Sequence, residues 1–430
     1  MRMAALAIIA ATGTRSFAQK PPAVHRIDRP VATSKREFKA ITAVRQLPNG
    51  NVLVNDGSRR QLLMLDSSLT PVSVVADSSA GSTHAYDAAF GGLVAFGGDS
   101  SLFIQPRVPA MYVIDPNGTI VRVASVPRPQ DVYAMAYPST SGNPGIDAKG
   151  RWVYRGATPP AARPTLVPGG PPGWMIGPDS APIVRYDPAT HTLDTISKYK
   201  ISQLKAKMYP QENGGSRAVM QRNPVDMLDD WAVLSDGSVA IVRGRDYHVD
   251  FVNPDGSVVR GPRMAFAWEP LGDDAKTALL DSLKAADEES RKVTPPPATS
   301  GTGASGGNAA GGRSSGAASS GVSMTPGPPP GGRLPTEFPS LSDLPDYRGP
   351  FGQNALRPDA DGNLWVKTTH HEASAGFVYD VVNRQGKVID RVQLQPGRTI
   401  MGFGRGGIVY MVAGEDESTS SLEKARWRAP

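Results

Sequence analysis

The sequence predicts an all-β fold: a six-bladed β-propeller of four-stranded antiparallel blades, closed by the N-terminal strand and carrying one helical and disordered insertion. Three observations carry this expectation. A unit of four short strands recurs along the chain, complete from Asn354 to Gln393. Its strands are joined by Gly-containing pairs that supply positive φ at low cost, Asp361-Gly362 and Gln385-Gly386 here. The last repeat lacks a fourth strand, while residues before the first repeat have none of their own to complete.

In chain order, Met1 to Ala18 combines Arg2, the apolar run Ala4 to Ala11 and the small residues Ser16 and Ala18. This predicts a secretory leader over residues 1–18, cleaved before Gln19. Its apolar run is far shorter than the ~20 residues that span a bilayer, and no other segment approaches that length. Residues 19–430 then form a single domain. Val24 to Phe38 is assigned as the outer strand missing from the last blade, because an open sheet edge exposes unpaired backbone groups.

Blade one reads Ile41 to Leu47, Asn49-Gly50, Asn51 to Asn55, Gln61 to Asp66 and Thr70 to Ala76. Blade two reads Leu93 to Phe96, Gly98-Asp99, Leu102 to Gln105, Met111 to Asp115, Asn117-Gly118 and Thr119 to Val123. Blade three has Gly145 to Asp147, Lys149-Gly150, Arg151 to Arg155, Ile183 to Asp187 and Thr192 to Ser197. Blade four carries two Asp-Gly turns, with Trp231 to Leu234, Ser238 to Arg243, Tyr247 to Val252 and Ser257 to Arg260. The complete unit is blade five. Blade six has Thr399 to Phe403, Gly406-Gly407, Ile408 to Val412 and a last apolar piece near Ala425 to Arg428.

An apolar strand, a DG-type turn, an NLWV or SVAIV strand, a VYDVVN or VDFVNPDG strand and a closing strand make a pattern that resembles the NHL/TolB-like six-bladed propellers. It is similar in particular to exported bacterial members of undefined activity. The resemblance covers most of Ile41 to Arg428 apart from the insertions. It implies the fold; its matching residues are turns and core positions, which carry no chemistry. Lactonase-type propellers place an acid before Gly-Pro on the first inner strand as a metal ligand, and no Glu-Gly-Pro occurs here.

Composition limits the function classes. Hydrophobic residues make up 39% of 430, enough for a large core, and the 46 glycines and 40 prolines fall mainly in turns and one biased tract. There is no cysteine, which excludes disulfides, thiolate catalysis and Cys-ligated metal. The net charge is +6, and loss of residues 1–18 takes Arg2 and Arg15 to leave +4. No Lys/Arg run with interleaved aromatics appears, so nucleic-acid binding is not expected. The expected product is a monomer without a transmembrane segment, its partner an unnamed protein or small ligand, its cofactor unspecified.

The long connections all fall between second and third strands or between blades: Gly156 to Ala181, Lys198 to Asp229, Gly261 to Gln353 and the His370 loop. Within insertion 261–353, helical spacing of Leu279, Leu280, Leu283 and Ala286 predicts a helix over 273–292. Residues 294–332 are largely Pro, Gly, Ser and Ala, with scarcely an apolar side chain, and predict disorder. The face bearing such insertions is the expected binding face. Polar residues placed near its channel mouth are Asn143, Asp229, Asp230, Asn354, His370, His371, Glu372 and Arg398. His370-His371-Glu372 is the densest metal-capable cluster, but adjacent residues of an extended loop point apart and read as solvated loop. Asp229 or Asp230 is a possible acid, base or cation ligand, against a plain acidic loop pair. Trp152, Trp231 and Trp365 read as packing between blades. Gly-x-Ser-x-Gly occurs only inside the biased tract, at Gly303 to Gly307 and Gly312 to Gly316, where no strand pattern precedes it to make a nucleophile elbow, and no phosphate loop is present. The expected function is a binding or scaffold module working through the decorated face; the alternative is a metal-dependent hydrolase or lyase at the central channel.

Overall fold

The computed structural model describes residues 22–79, 84–86, 91–97, 99–136, 142–159, 161, 163, 165–169, 171–212, 214–221, 223–293, 336–370, 375–416 and 419–428. The leader 1–18, Gly98, the tract 294–332, His371 and Glu372 lie outside them.

The chain is mostly β. Six sheets follow one another, each a meander in which every strand pairs antiparallel with the next. Sheet I comprises Ile41–Gln46, Val52–Asp56, Gln61–Leu65 and Pro71–Asp77. Sheet II comprises Gly92–Ala95, Ser101–Gln105, Ala110–Ile114 and Ile120–Ser125. Sheet III comprises Gly145–Ile146, Trp152–Arg155, Ser180–Asp187 and Thr192–Lys200. Sheet IV comprises Asp230–Val233, Val239–Arg243, His248–Val252 and Val258–Arg260. Sheet V comprises Phe351–Pro358, Leu364–Thr368, Val378–Val382 and Val388–Gln393. Sheet VI comprises Arg398–Gly404, Ile408–Asp416 and Thr419–Arg426 from the C-terminal part of the chain.

The N-terminal residues complete sheets V and VI. Ala32–Thr33 pairs antiparallel with Thr419–Arg426, so sheet VI also has four strands. Phe38 adds a bridge to Ser420, with reciprocal N–H to carbonyl bonds of 2.8 Å. Val24–Arg26 pairs parallel with Val388–Gln393 and gives sheet V a fifth strand that the repeat pattern did not foretell.

The reason the middle strands are apolar on both faces is that each sheet is covered on both. Val52 and Val54 pack with Tyr410 and Leu422 of sheet VI, whereas Leu53 between them packs with Phe103 and Ile114 of sheet II. Period-2 alternation thus sends successive side chains to different neighbours. Leu102 and Ile104 meet Trp152 and Tyr154; Val153 and Ile183 meet Trp231 and Ile241. Ala232 and Val242 meet Leu356 and Val366, and Trp365 meets Val409 and Met411. Each of these six clusters joins one sheet to the next in sequence, and the one around Val52 joins sheet VI back to sheet I. The three tryptophans expected between blades are buried in these contacts. First strands lie against one another, with Arg398–Gly404 on Ile41–Gln46, where a Cβ on Gly402 would stand 2.5 Å from the Val44 carbonyl oxygen.

Two expectations need correction. The third strand of sheet VI begins at Thr419 rather than near Ala425; its Ser and Glu residues disguise it, because Glu423 is buried only through its pairing with Arg398. The connections read as loops also build a seventh sheet. Gly173–Ile176, Lys205–Pro210 and Ser216–Gln221 pair antiparallel, and Thr336–Glu337 adds parallel to the last. It draws on three separate connections, and its one Asx-Gly pair, Asn213-Gly214 between Lys205–Pro210 and Ser216–Gln221, stands between short strands that contain Pro, Lys and Met. A helix spans Asp273–Val293, with acids Asp273 and Asp274 in its first turn. No helix among the described residues is long and apolar enough to cross a membrane.

Candidate functional site

At one end of each meander lie the turns between first and second and between third and fourth strands. They are tight, with glycine at positive φ in Gly50, Gly118, Gly150, Gly237, Gly256, Gly362 and Gly386. A carboxylate or amide closes each from within. Asp115 Oδ1 accepts from the N–H groups of Asn117 and Thr119 at 2.9 and 2.8 Å, and Asp359 and Asn383 serve their turns in the same way. At the opposite end of the sheets lie the long connections, with the seventh sheet, the helix and the segment Leu341–Asp343.

The first strands of sheets IV and V start at that end, and three of the expected site residues gather there around Leu356 and Arg357. Asp230 Oδ2 accepts from the Leu356 N–H at 2.9 Å, and Asn143 Nδ2 donates to the Leu356 carbonyl at 2.8 Å. Asn354, in the left-handed region at φ 55°, accepts from Arg357 Nη1 at 2.7 Å, and the same nitrogen donates to the Leu356 carbonyl at 2.8 Å. Asp230 Oδ1 accepts from the Trp231 N–H at 2.9 Å, so both carboxylate oxygens are engaged. Burial drives the Asp230 carboxyl up to about 6, and the Leu356 and Trp231 N–H groups oppose that rise only in part.

Asp229, the next residue back, turns the other way. It accepts from Arg243 Nη1 at 2.8 Å, the Lys200 N–H at 2.9 Å and the Gly244 N–H at 3.1 Å. Arg243 continues to Asp250, which also faces His248 and Arg260. Adjacent carboxylates therefore serve separate networks. His370 places Nε2 2.7 Å from the Ala267 carbonyl and Nδ1 3.3 Å from Glu269, with its ring 4.5 Å from that of Phe266, fastening insertion 261–353 to sheet V. Arg398 is held by both oxygens of Glu423 at 2.6 and 3.0 Å. The expected residues that are described thus fall into four groups, and no described group of three His, Asp or Glu side chains is placed to hold a metal ion.

Sequence reading missed Arg357 beside Asp230 and two side chains that interact with Arg357, Tyr379 and Lys367. Arg357 is half-buried, its removal from water lowers its pKa, and it lies near both Asp230 and Tyr379. Burial pushes the Tyr379 phenol up to about 12. Lys367 is lowered by burial and by the Arg357 charge, and its ammonium sits 4.8 Å from the Phe377 ring centroid. Their alternation within NALRP, LWVKT and VYDVV strands was legible, but not that a polar residue stood on the inward side. At the tight-turn end, a shallow groove of about 400 Å³ lies between Asp361, Gly406, Gly407 and Arg426 to Arg428.

No protein-family model matches the chain, and no curated protein matches its sequence. The solved structures it resembles are β-propeller proteins. A member of the DUF4221 family from Bacteroides vulgatus aligns with 96% of this chain and 98% of its own at 10% identity and a TM-score of 0.42. A gluconolactonase from Xanthomonas campestris aligns with 94% and 95% at 11% identity and 0.37. Virginiamycin B lyase from Staphylococcus aureus aligns with 93% and 99% at 10% identity and 0.36. Likeness at this level assigns no activity to the present chain.

Proposed function

We propose that this chain is an exported six-bladed β-propeller that acts as a binding or scaffold module, engaging its partner on the side that bears the long connections. The six successive sheets are its blades, and the N-terminal pairing with Thr419–Arg426 is its closure. Six interleaved side-chain clusters, the last returning from sheet VI to sheet I, support the ring.

One observation carries the binding side. Three separate connections cooperate to build a sheet at one end of the ring, whereas the other end has minimal turns closed by their own side chains. Structured irregular chain offers concave, chemically varied surface, which a row of tight turns does not. The polar groups at the inner-strand starts favour a binding module over a hydrolase, because Asp230, Asn143, Asn354 and Arg398 are spent on protein partners. Export rests on the leader pattern of residues 1–18.

The test is affinity capture from the envelope of the producing cell, with full-length protein and two variant sets. Tyr347→Ala with Lys205→Glu alters the built-up side, and Asn117→Ala with Gln385→Ala alters the turns. Loss of the captured partner from the first set alone is the expected result. Loss from the second set alone would place the binding side at the opposite end.

A further inference from the structure

The seventh sheet presents two unlike faces. Register puts Trp174 opposite Lys207 and Ile176 opposite Lys205, and residues directly opposite share a face. On that face Trp174 is 42% and Ile176 47% exposed. The alternate residues, among them Met175, Ala206 and Met220, form the other face, where Ala206 is fully buried. The apolar exposure therefore sits on the outward face and beside lysines.

Lys205 and Lys207 lie on that face. They belong to a basic stretch, since residues 198–222 contain six Lys/Arg and one Glu, +5 in a chain whose net charge is +6. Lys207 lies 5.3 Å from the Trp174 ring centroid, so one cation is held against the aromatic surface. Arg217 stands exposed across from Tyr209. A surface of this composition attracts acids and also offers apolar contact between them.

The sheet's edges point to the form of the ligand. One edge already receives an extended piece of this chain: Thr336–Glu337 adds in parallel, and Glu337 makes an ion pair with Lys207. An acidic side chain on an added strand is thus seated among these cations. The other edge, Gly173–Ile176, pairs on one side only among the described residues. Every second residue of this edge turns its backbone N–H and carbonyl away from Lys205–Pro210, along a strand whose outward side chains are Trp174 and Ile176.

We infer that the Gly173–Ile176 edge and the face around Lys205 and Lys207 bind an extended acidic segment of a partner protein by strand addition. Backbone hydrogen bonds to the edge supply affinity, and alternate acidic residues reach the lysines of the next strand, as in other strand-addition complexes. This deepens the reading of the built-up side as the binding side and rests on it.

The test uses full-length protein and a fluorescent Glu-Val-Glu-Val-Glu-Val peptide, followed by anisotropy at two salt concentrations. Saturable binding that weakens with salt is expected, with none for the Lys-Val counterpart. Peptides N-methylated on every second residue, in either phase, separate strand addition from plain charge attraction: at least one phase should bind tenfold or more weakly. Trp174→Ala and Lys205→Gln, both with unchanged melting temperature, should each weaken binding about threefold to tenfold. Equal binding of both N-methylated forms overturns the inference, as does absence of binding to the wild type. Displacement of the peptide by a lower concentration of polygalacturonate also overturns it, in favour of an anionic polysaccharide surface. If the peptide fails while envelope capture is still lost on Tyr347→Ala, strand addition falls and the binding side stands; if capture depends on the turns at Asn117 and Gln385, both fall.

Discussion

Asp230 Oδ2 accepts a 2.9 Å hydrogen bond from the Leu356 N–H, tying the first strand of sheet IV to that of sheet V. The carboxylate is buried, and both its oxygens are occupied by backbone donors. Asp230→Ala leaves two buried N–H groups without acceptors and should cost about 2–6 kcal/mol of stability, from roughly 1–3 kcal/mol for each unmade bond. Chemical denaturation measures it, and a loss below about 0.5 kcal/mol would remove Asp230 from the brace.

The same residue sets a pH dependence. Its pKa rises from 3.8 unfolded to about 6 folded, so the folded state holds the proton more tightly between these values. Stability from this group is complete below about pH 4 and is lost as pH rises through about 6. The stability difference between wild type and Asp230→Asn should therefore shift against the wild type over that window by on the order of 3 kcal/mol, at about 1.4 kcal/mol per pKa unit. A difference flat from pH 4 to 7 would contradict the assignment.

Arg398 lies at an inner-strand start but is bound to Glu423, whose side chain is 8% exposed. Arg398→Ala leaves that acid buried and unpaired and should cost up to about 3 kcal/mol. The double variant Arg398→Met with Glu423→Leu should recover most of the loss. Stability, not partner capture per folded molecule, is the quantity expected to change.

These cases show what the sequence could and could not carry. Strand period and Asx-Gly turns placed the first four repeats and the complete unit at Asn354 to Gln393, because each signal is local. The direction of a carboxylate is not local: Asp229 and Asp230 are neighbours, yet one turns to Arg243 and the other to Leu356, 126 residues away in sequence. The seventh sheet was hidden for the same reason in its outer strands, which come from two other connections; its central hairpin around Asn213-Gly214 carried a local signal that sequence reading missed. Glu423 hid a strand because its burial depends on Arg398 in a different strand.

Closure makes its own prediction. Phe38 is fully buried with Val52, Leu65 and Leu422, joining the N-terminal segment to sheets I and VI. Phe38→Ala should cost about 3–5 kcal/mol, and deletion of residues 24–38 should lower the melting temperature sharply by exposing the edge of Thr419–Arg426. An unchanged melting temperature in the deletion would refute closure by this segment.

At the same junction, Gly402→Ala would drive a Cβ to within 2.5 Å of the Val44 carbonyl, where only backbone movement gives relief. A loss of about 1–3 kcal/mol is expected from such overpacking, whereas Gly150→Ala, with open space around its Cβ, should cost only its positive-φ strain of roughly 1 kcal/mol. Equal losses would mean that sheets VI and I are not in contact as described.

The most direct measurement of the binding side is photo-crosslinking in the producing cell. A photoreactive phenylalanine analogue is placed one position at a time at Trp174, Ile176 and Tyr347 on the built-up side and at Asn117 and Gln385 in the tight turns, followed by immunoblotting for higher-mass adducts. Adducts from the first three positions and none from the last two are the predicted result. Adducts confined to Asn117 and Gln385 would contradict the account, because the partner would then sit at the end of the sheets that has only minimal turns.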